Sequence, residues 1–324
     1  MDYRTDNTIA YMDELSNSIY TYYVDHFAEL TESKQLHFAS RLALWSGDAF
    51  GVRTLGTLRA GVTHNENPAE ALRAVYAEAQ ATMHHGSKNA AELRAPYFVR
   101  YPNLRAVAMI LFRLTFMKTI YGLDAKTTLF EIFPKQELDQ LMHQLISDRE
   151  ALSILSTHAV NVLYLYSRMV LEDDALFDPR SFLDVGNQHY DKSRPLHLQL
   201  YIYLYTHCVI GESNFYSRQI PKKYLPTYQK MLDELELTIS RNFEGVNLDN
   251  KFEYLVCCKL AGKKSQLETR IFQEAAQSIS PDGTFLIDVH NTNPQLTNNT
   301  LELSEHRNVL FIMANREPTG LPAQ

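Results

Sequence analysis

The sequence predicts an all-α protein of repeated helix hairpins, arranged as an α/α toroid (a helical barrel) or a curved solenoid. Three observations carry this. Apolar residues recur at three- and four-residue spacing along much of the 324-residue chain, the period of a helix with one buried face. Strongly apolar helical segments, several ending at glycine, alternate with amphipathic ones. The apolar segments begin near residues 105, 155, 196, 250 and 304, at steps of 50, 41, 54 and 54 residues. Such a step is the length of two helices plus their loops, and repeating helix pairs build solenoids when open and toroids when closed.

Taken in order, Ile9, Met12, Ile19, Tyr23, Phe27 and Leu30 mark one face of a first helix. A sixth apolar helix begins near Phe38, and Gly47, Gly51, Gly56 and Gly61 after it suit close helix approach or turns. A helix over 68–85 follows from Leu72, Val75, Ala79 and Met83, with Asn67-Pro68 as its start and His84, His85 and Gly86 as its stop. Pro96 and Pro102 bracket FVRY and exclude a helix there. The apolar helices RAVAMILFRLTFMKTIYG, LHLQLYIYLYTHCVIG and NKFEYLVCCKLAG are each expected to be capped by their last glycine, Gly122, Gly211 and Gly262. LSTHAVNVLYLYSRMV from Leu155 and SEHRNVLFIMANR from Ser304 complete the set, the latter with Ser304 as N-cap. Amphipathic partners are expected over 136–147, 221–243 and 265–278. FLIDVHN, after the SPDG turn, reads as a short extended piece, and NREPTGLPAQ as a frayed end. The organisation is then one domain over 1–315 with a flexible tail over 316–324.

Composition excludes several function classes. Lys and Arg number 31 against 38 Asp and Glu, a net charge of −7, so no global positive field attracts nucleic acid or an anionic membrane surface. Cys208, Cys257 and Cys258 are odd in number and lie in apolar stretches, which fits a reducing compartment. The first residues are polar and acidic, without the basic and apolar regions of a secretory signal. The expectation is therefore a cytoplasmic protein without nucleic-acid or membrane partners. No apolar run reaches the ~20 residues of a bilayer span. There is no GxSxG elbow, no GxxxxGK[ST] phosphate loop and no GxGxxG fingerprint.

The SPDGTF turn at 280–285, followed some twenty residues later by the helix LSEHRNVLFIMA, resembles the loop-to-inner-helix unit of α/α-toroid proteins. That group includes terpenoid cyclases, protein prenyltransferases, lanthionine cyclases, polysaccharide lyases and glycoside hydrolases. The likeness covers about 35 residues by motif and the rest of the chain by its period. It implies a helical ring whose mouth, formed by inner-helix ends and their loops, binds a ligand. The acidic DDxxD and DxDD boxes of the terpenoid enzymes are missing, Asp173-Asp174 in LEDDALFD being the nearest approach.

Polar residues at inner-helix starts and in the preceding loops are the ones available to a ligand. Glu305, His306 and Arg307 open one helix, and Asp288, His290 and Asn291 precede it. A histidine beside a carboxylate is a general base, and Arg307 would hold an anionic group. The candidate catalytic set is thus His306, Glu305, Arg307 and His290. The candidate ligand-binding set is Asp288, Asn291, His158, Asn161, His189, Arg194 and His197. The function these imply is binding of a small molecule or peptide in a central cavity, with two enzymatic alternatives: a carbohydrate-active lyase or hydrolase, and zinc-dependent transfer chemistry. No metal ligand and no cofactor is assigned, because neither CxxC nor HxxxH occurs to aim two side chains at one ion. The 19 tyrosines, six of them among Tyr201, Tyr203, Tyr205, Tyr216, Tyr224 and Tyr228, either fill helix interfaces or line the pocket.

Overall fold

The computed structural model describes residues 3–81, 88–172, 176–288 and 300–319, with side chains from residue 10 onward and without those of residues 88–91. The described residues form sixteen α-helices and no strand. These are α1 (Tyr3–Asp25), α2 (Glu32–Ser46), α3 (Ala49–Thr63), α4 (Pro68–Ala81), α5 (Lys88–Arg100), α6 (Leu104–Tyr121), α7 (Lys126–Ile132) and α8 (Lys135–Ser147). There follow α9 (Arg149–Leu155), α10 (Thr157–Tyr166), α11 (Arg180–Gln188), α12 (Pro195–Glu212), α13 (Leu225–Arg241), α14 (Leu248–Leu260), α15 (Glu268–Gln277) and α16 (Leu301–Asn315). None of them is long and apolar enough to cross a membrane.

The chain divides into two compact units, the first comprising residues 1–57, 216–220 and 232–324, the second residues 58–215 and 221–231. In the first unit α16 packs against α14, α1 and α2, and Val309, Phe311, Ile312 and Met313 have no exposed surface. Met12, Ile19 and Tyr23 of α1 are buried as their spacing predicts. In the second unit α10 lies between α6 and α12, burying Val160, Leu163, Ile110, Leu111, Ile202 and Leu204. Side chains of this size each contribute about 1.5–3 kcal/mol when buried, so these apolar helices hold the cores of their units. The amphipathic segments appear as α8, α13 and α15.

Local signals hold in most places. Asn67 accepts from the Ala69 and Glu70 amides at the start of α4, and Gly122 and Gly262 take left-handed φ of 67° and 60°. The expected stop at His84, His85 and Gly86 lies outside the described residues, as does Asp173-Asp174.

Three expectations are corrected. Pro96 lies inside α5, although an interior proline loses one ladder bond and costs about 3 kcal/mol. Contacts beyond the helix offset it: Arg94 donates to the Ile154 carbonyl at 3.2 Å, and Arg100 and Tyr101 both donate to Asp148. Gly211 is not a cap but an interior residue of α12; a Cβ there would sit 2.5 Å from the Tyr164 ring, so glycine serves close approach. The N-cap of α16 is Thr300, whose hydroxyl accepts from the Leu303 amide at 3.2 Å, because Leu301 to Leu303 extend the helix one turn ahead of Ser304.

The piece after the SPDG turn makes a single antiparallel bridge, Ile279 with Leu286, and no sheet. Past α16, the Arg316 carbonyl accepts from the Trp45 indole at 3.0 Å, and Lys259 reaches Glu317 at 2.7 Å. Residues 320–324 lie outside the described residues.

Candidate functional site

In the first unit the starts of three helices bring their polar residues together. Glu305, in the second turn of α16, has no exposed side chain, and a buried carboxylate must find partners. It finds two on α2: Lys34 Nζ donates to Oε2 at 3.1 Å, and His37 Nδ1 donates to Oε1 at 2.8 Å. His306, the next residue, donates from Nδ1 to Asp249 Oδ1 at 3.1 Å. Arg307 donates to Asp249 Oδ2 from Nη2 at 2.8 Å and from Nε at 3.1 Å. Its nearest approach to Asp288 is 3.9 Å.

The two histidines face one another with ring centres 5.5 Å apart. Each has Nδ1 fixed by a carboxylate, which leaves Nε2 as the working nitrogen. Their side chains remain 25% and 39% exposed, whereas Glu305 is closed off and Asp249 is 20% exposed. Asn308 locks the approach: its side chain bonds the Leu286 amide at 2.8 Å and the Leu286 carbonyl at 3.0 Å, which positions Asp288 two residues on.

The electrostatics separate the two rings. Burial pushes His37 down to about 4, against the pull of Glu305, so it is neutral at pH 7 with its proton on Nδ1 and a lone pair on Nε2. Burial also lowers His306, but the bond to Asp249 and the charges of Asp249, Glu253 and Glu305 outweigh it and hold His306 above the ordinary histidine value. Asp249 falls to about 2 because His306 and Arg307 override its burial. Glu305 is lowered as well, His37 and Lys34 prevailing over burial. The two rings are thus shifted in opposite directions.

Of the residues expected from sequence, Glu305, His306, Arg307 and Asp288 come together here. Arg307 bonds Asp249 through Nε and Nη2, so it positions that carboxylate, while Lys34, 31% exposed, pairs with Glu305. His290 and Asn291 lie outside the described residues. His158 and Asn161 belong to the second unit, on α10, where Asn161 Oδ1 is 2.8 Å from His207 Nδ1. His189 follows α11, Arg194 precedes α12 and is exposed, and His197 accepts from the Asp191 amide at 3.3 Å. Lys34, His37 and Asp249 were not singled out from sequence. They stand at the starts of α2 and α14, so the criterion that selected Glu305 to Arg307 would have found them if applied to every apolar helix.

Among the described residues no group of three or more His, Cys, Asp or Glu converges to hold a metal. Burial lifts the Cys208 and Cys258 thiols, the latter to about 12, so both remain protonated. Tyr201, Tyr205 and Tyr228 are fully buried between helices. A surface depression of about 860 Å³ lined by Arg100, Tyr101, His143 and Asp148 shares no residue with the histidine pair, and its Asp148 is spent on capping α9 and holding Arg100.

The chain matches no known family model, no curated protein and no solved structure.

Proposed function

We propose that this protein is an acid–base enzyme of the lyase or hydrolase type acting on a small anionic or sugar-acid substrate. The observation that carries the reading is the facing pair His37 and His306, shifted in opposite directions and each oriented by its own carboxylate. In an elimination, His37 Nε2 takes the proton next to the substrate carboxylate, the adjacent C–O bond breaks, a C=C bond forms, and His306 Nε2 delivers its proton to the departing oxygen. Lys34 offsets the charge that builds on the substrate carboxylate.

The same reading takes the helix pairs as an α/α toroid or curved solenoid with the ligand at the mouth of its inner helices. Support comes from the order of packing within each unit, where α6, α10 and α12 are neighbours, as are α14, α16 and α2. The resemblance around 280–314 to carbohydrate-active toroid enzymes agrees with a lyase, and the absence of a converging donor set among the described residues gives the zinc-transfer alternative no support. The same reading includes a cytoplasmic setting, supported by Cys208, Cys257 and Cys258 lying buried in apolar helices.

Incubation with uronate polymers, followed by absorbance of the unsaturated product, tests the proposal. His306→Ala and His37→Ala should each lower kcat about 100-fold or more. The pH profile should rise on the acid side near pH 4, where His37 loses its proton, and fall only above the ordinary histidine range, where His306 loses its own. Turnover unchanged by both substitutions removes the histidines from the chemistry. Binding of uronates without product from any polymer reduces the site to a ligand-binding one.

A further inference from the structure

The second unit holds another polar cluster, whose charged members among the described residues are cations. Arg94 of α5, Arg105 of α6, His158 and Asn161 of α10, and Tyr203 and His207 of α12 are all half-buried. They are linked through shared neighbours. The Arg105 guanidinium carbon lies 3.8 Å from the centre of the Phe98 ring, and that ring meets His158 edge-on at 5.4 Å. His207 is bonded to Asn161, its ring lies 6.1 Å from that of Tyr203, and Arg94 Nε donates to the carbonyl of Ile154, one turn before His158.

Neither guanidinium has a carboxylate at ion-pair distance among the described residues. Burial lowers Arg94, with Tyr203, Tyr190 and Arg105 as the groups that bear on it; burial takes His158 down to about 4, and Arg94, Arg105 and His207 act in the same direction. Like charges gathered in half-buried positions destabilise the fold unless an opposite charge joins them. In a chain with 38 acidic residues against 31 basic ones, carboxylates are plentiful elsewhere. The Arg105 guanidinium over Phe98 keeps its planar fork of N–H donors, which can take two oxygens at once.

We propose that this cluster binds the oxyanion group, carboxylate or phosphate, of a small ligand, with Arg94 and Arg105 as its cationic clamp and Asn161, Tyr203 and His207 as polar contacts. The site stands independently of the acid–base reading of the first unit.

Calorimetric titration of the full chain with inorganic phosphate, sulfate and glucuronate decides the matter. At least one should bind, Arg94→Gln and Arg105→Gln should each weaken it about tenfold or more, and Arg73→Gln, which alters an exposed arginine paired with Glu131, should bind as wild type does. Preference for phosphate or for glucuronate assigns the source of the oxyanion. Arg105→Lys keeps the charge and loses the fork, so it too should bind more weakly, which covers the case of a glutamine variant that does not fold. Absence of heat with all three anions up to about 50 mM, or equal binding by wild type and the arginine variants, overturns the proposal.

Discussion

The two polar clusters solve the problem of half-buried charge in opposite ways. In the first unit the two carboxylates bonded to the histidines have partners of their own: Glu305 takes Lys34 and His37, and Asp249 takes His306 and Arg307. In the second unit Arg94 and Arg105 sit beside His158 and His207, and among the described residues no acid stands at ion-pair distance from either guanidinium. The contrast separates two meanings of a perturbed histidine. His37 and His158 are both driven to about 4 by burial, yet one rests on a carboxylate that fixes its tautomer for proton transfer, while the other is surrounded by cations and is set to meet an anion. A shifted value alone does not tell them apart; the neighbours do.

The largest expected effect tests the paired side of this contrast. Glu305→Ala strips Lys34 and His37 of the carboxylate that holds both, and with each hydrogen bond to a charged group worth about 1.5–3 kcal/mol the loss should be about 3 kcal/mol. Urea unfolding followed by circular dichroism measures it, and a loss below about 0.5 kcal/mol would show that pairing does not secure the first unit.

Much of this fold is legible in the sequence because helix period and core burial have the same cause. The runs around Val107, Val160, Ile202, Val256 and Phe311 became buried helices, since a segment apolar on nearly every side has nowhere else to go. Pro96 misled because local backbone preference was outweighed by side-chain anchors on Asp148 and Ile154, more than 45 residues away in sequence. Gly211 misled for a related reason: whether glycine ends a helix or admits a neighbouring ring depends on Tyr164, 47 residues earlier. The site was half legible. Glu305, His306 and Arg307 were visible as a polar cluster opening an apolar helix, but their partners Lys34 and His37 lie some 270 residues away, and only the fold brings them in.

An intermediate effect is expected where packing, not charge, sets the geometry of the second unit. Gly211→Ala would push a methyl group to within 2.5 Å of the Tyr164 ring, which is almost fully buried and held by the bond of its hydroxyl to Tyr228 at 2.7 Å. The ring cannot swing aside, so overpacking should cost about 1–3 kcal/mol. A variant as stable as wild type would mean that α10 and α12 separate easily, and the half-buried cluster they carry would not be a preformed one.

The smallest effect is the most discriminating. Arg94→Met removes one hydrogen bond to the Ile154 carbonyl, worth about 1 kcal/mol net, and with it a cation that repels Arg105. The two terms oppose each other, so the variant should unfold within about 0.5 kcal/mol of wild type in anion-free buffer, unlike the substitution at Glu305. Phosphate at about ten times its dissociation constant should then stabilise wild type by about 1.4 kcal/mol and the variant by no more than about 0.4 kcal/mol. A large loss in anion-free buffer would mean that Arg94 is already compensated within the protein, and the two clusters would no longer differ in kind.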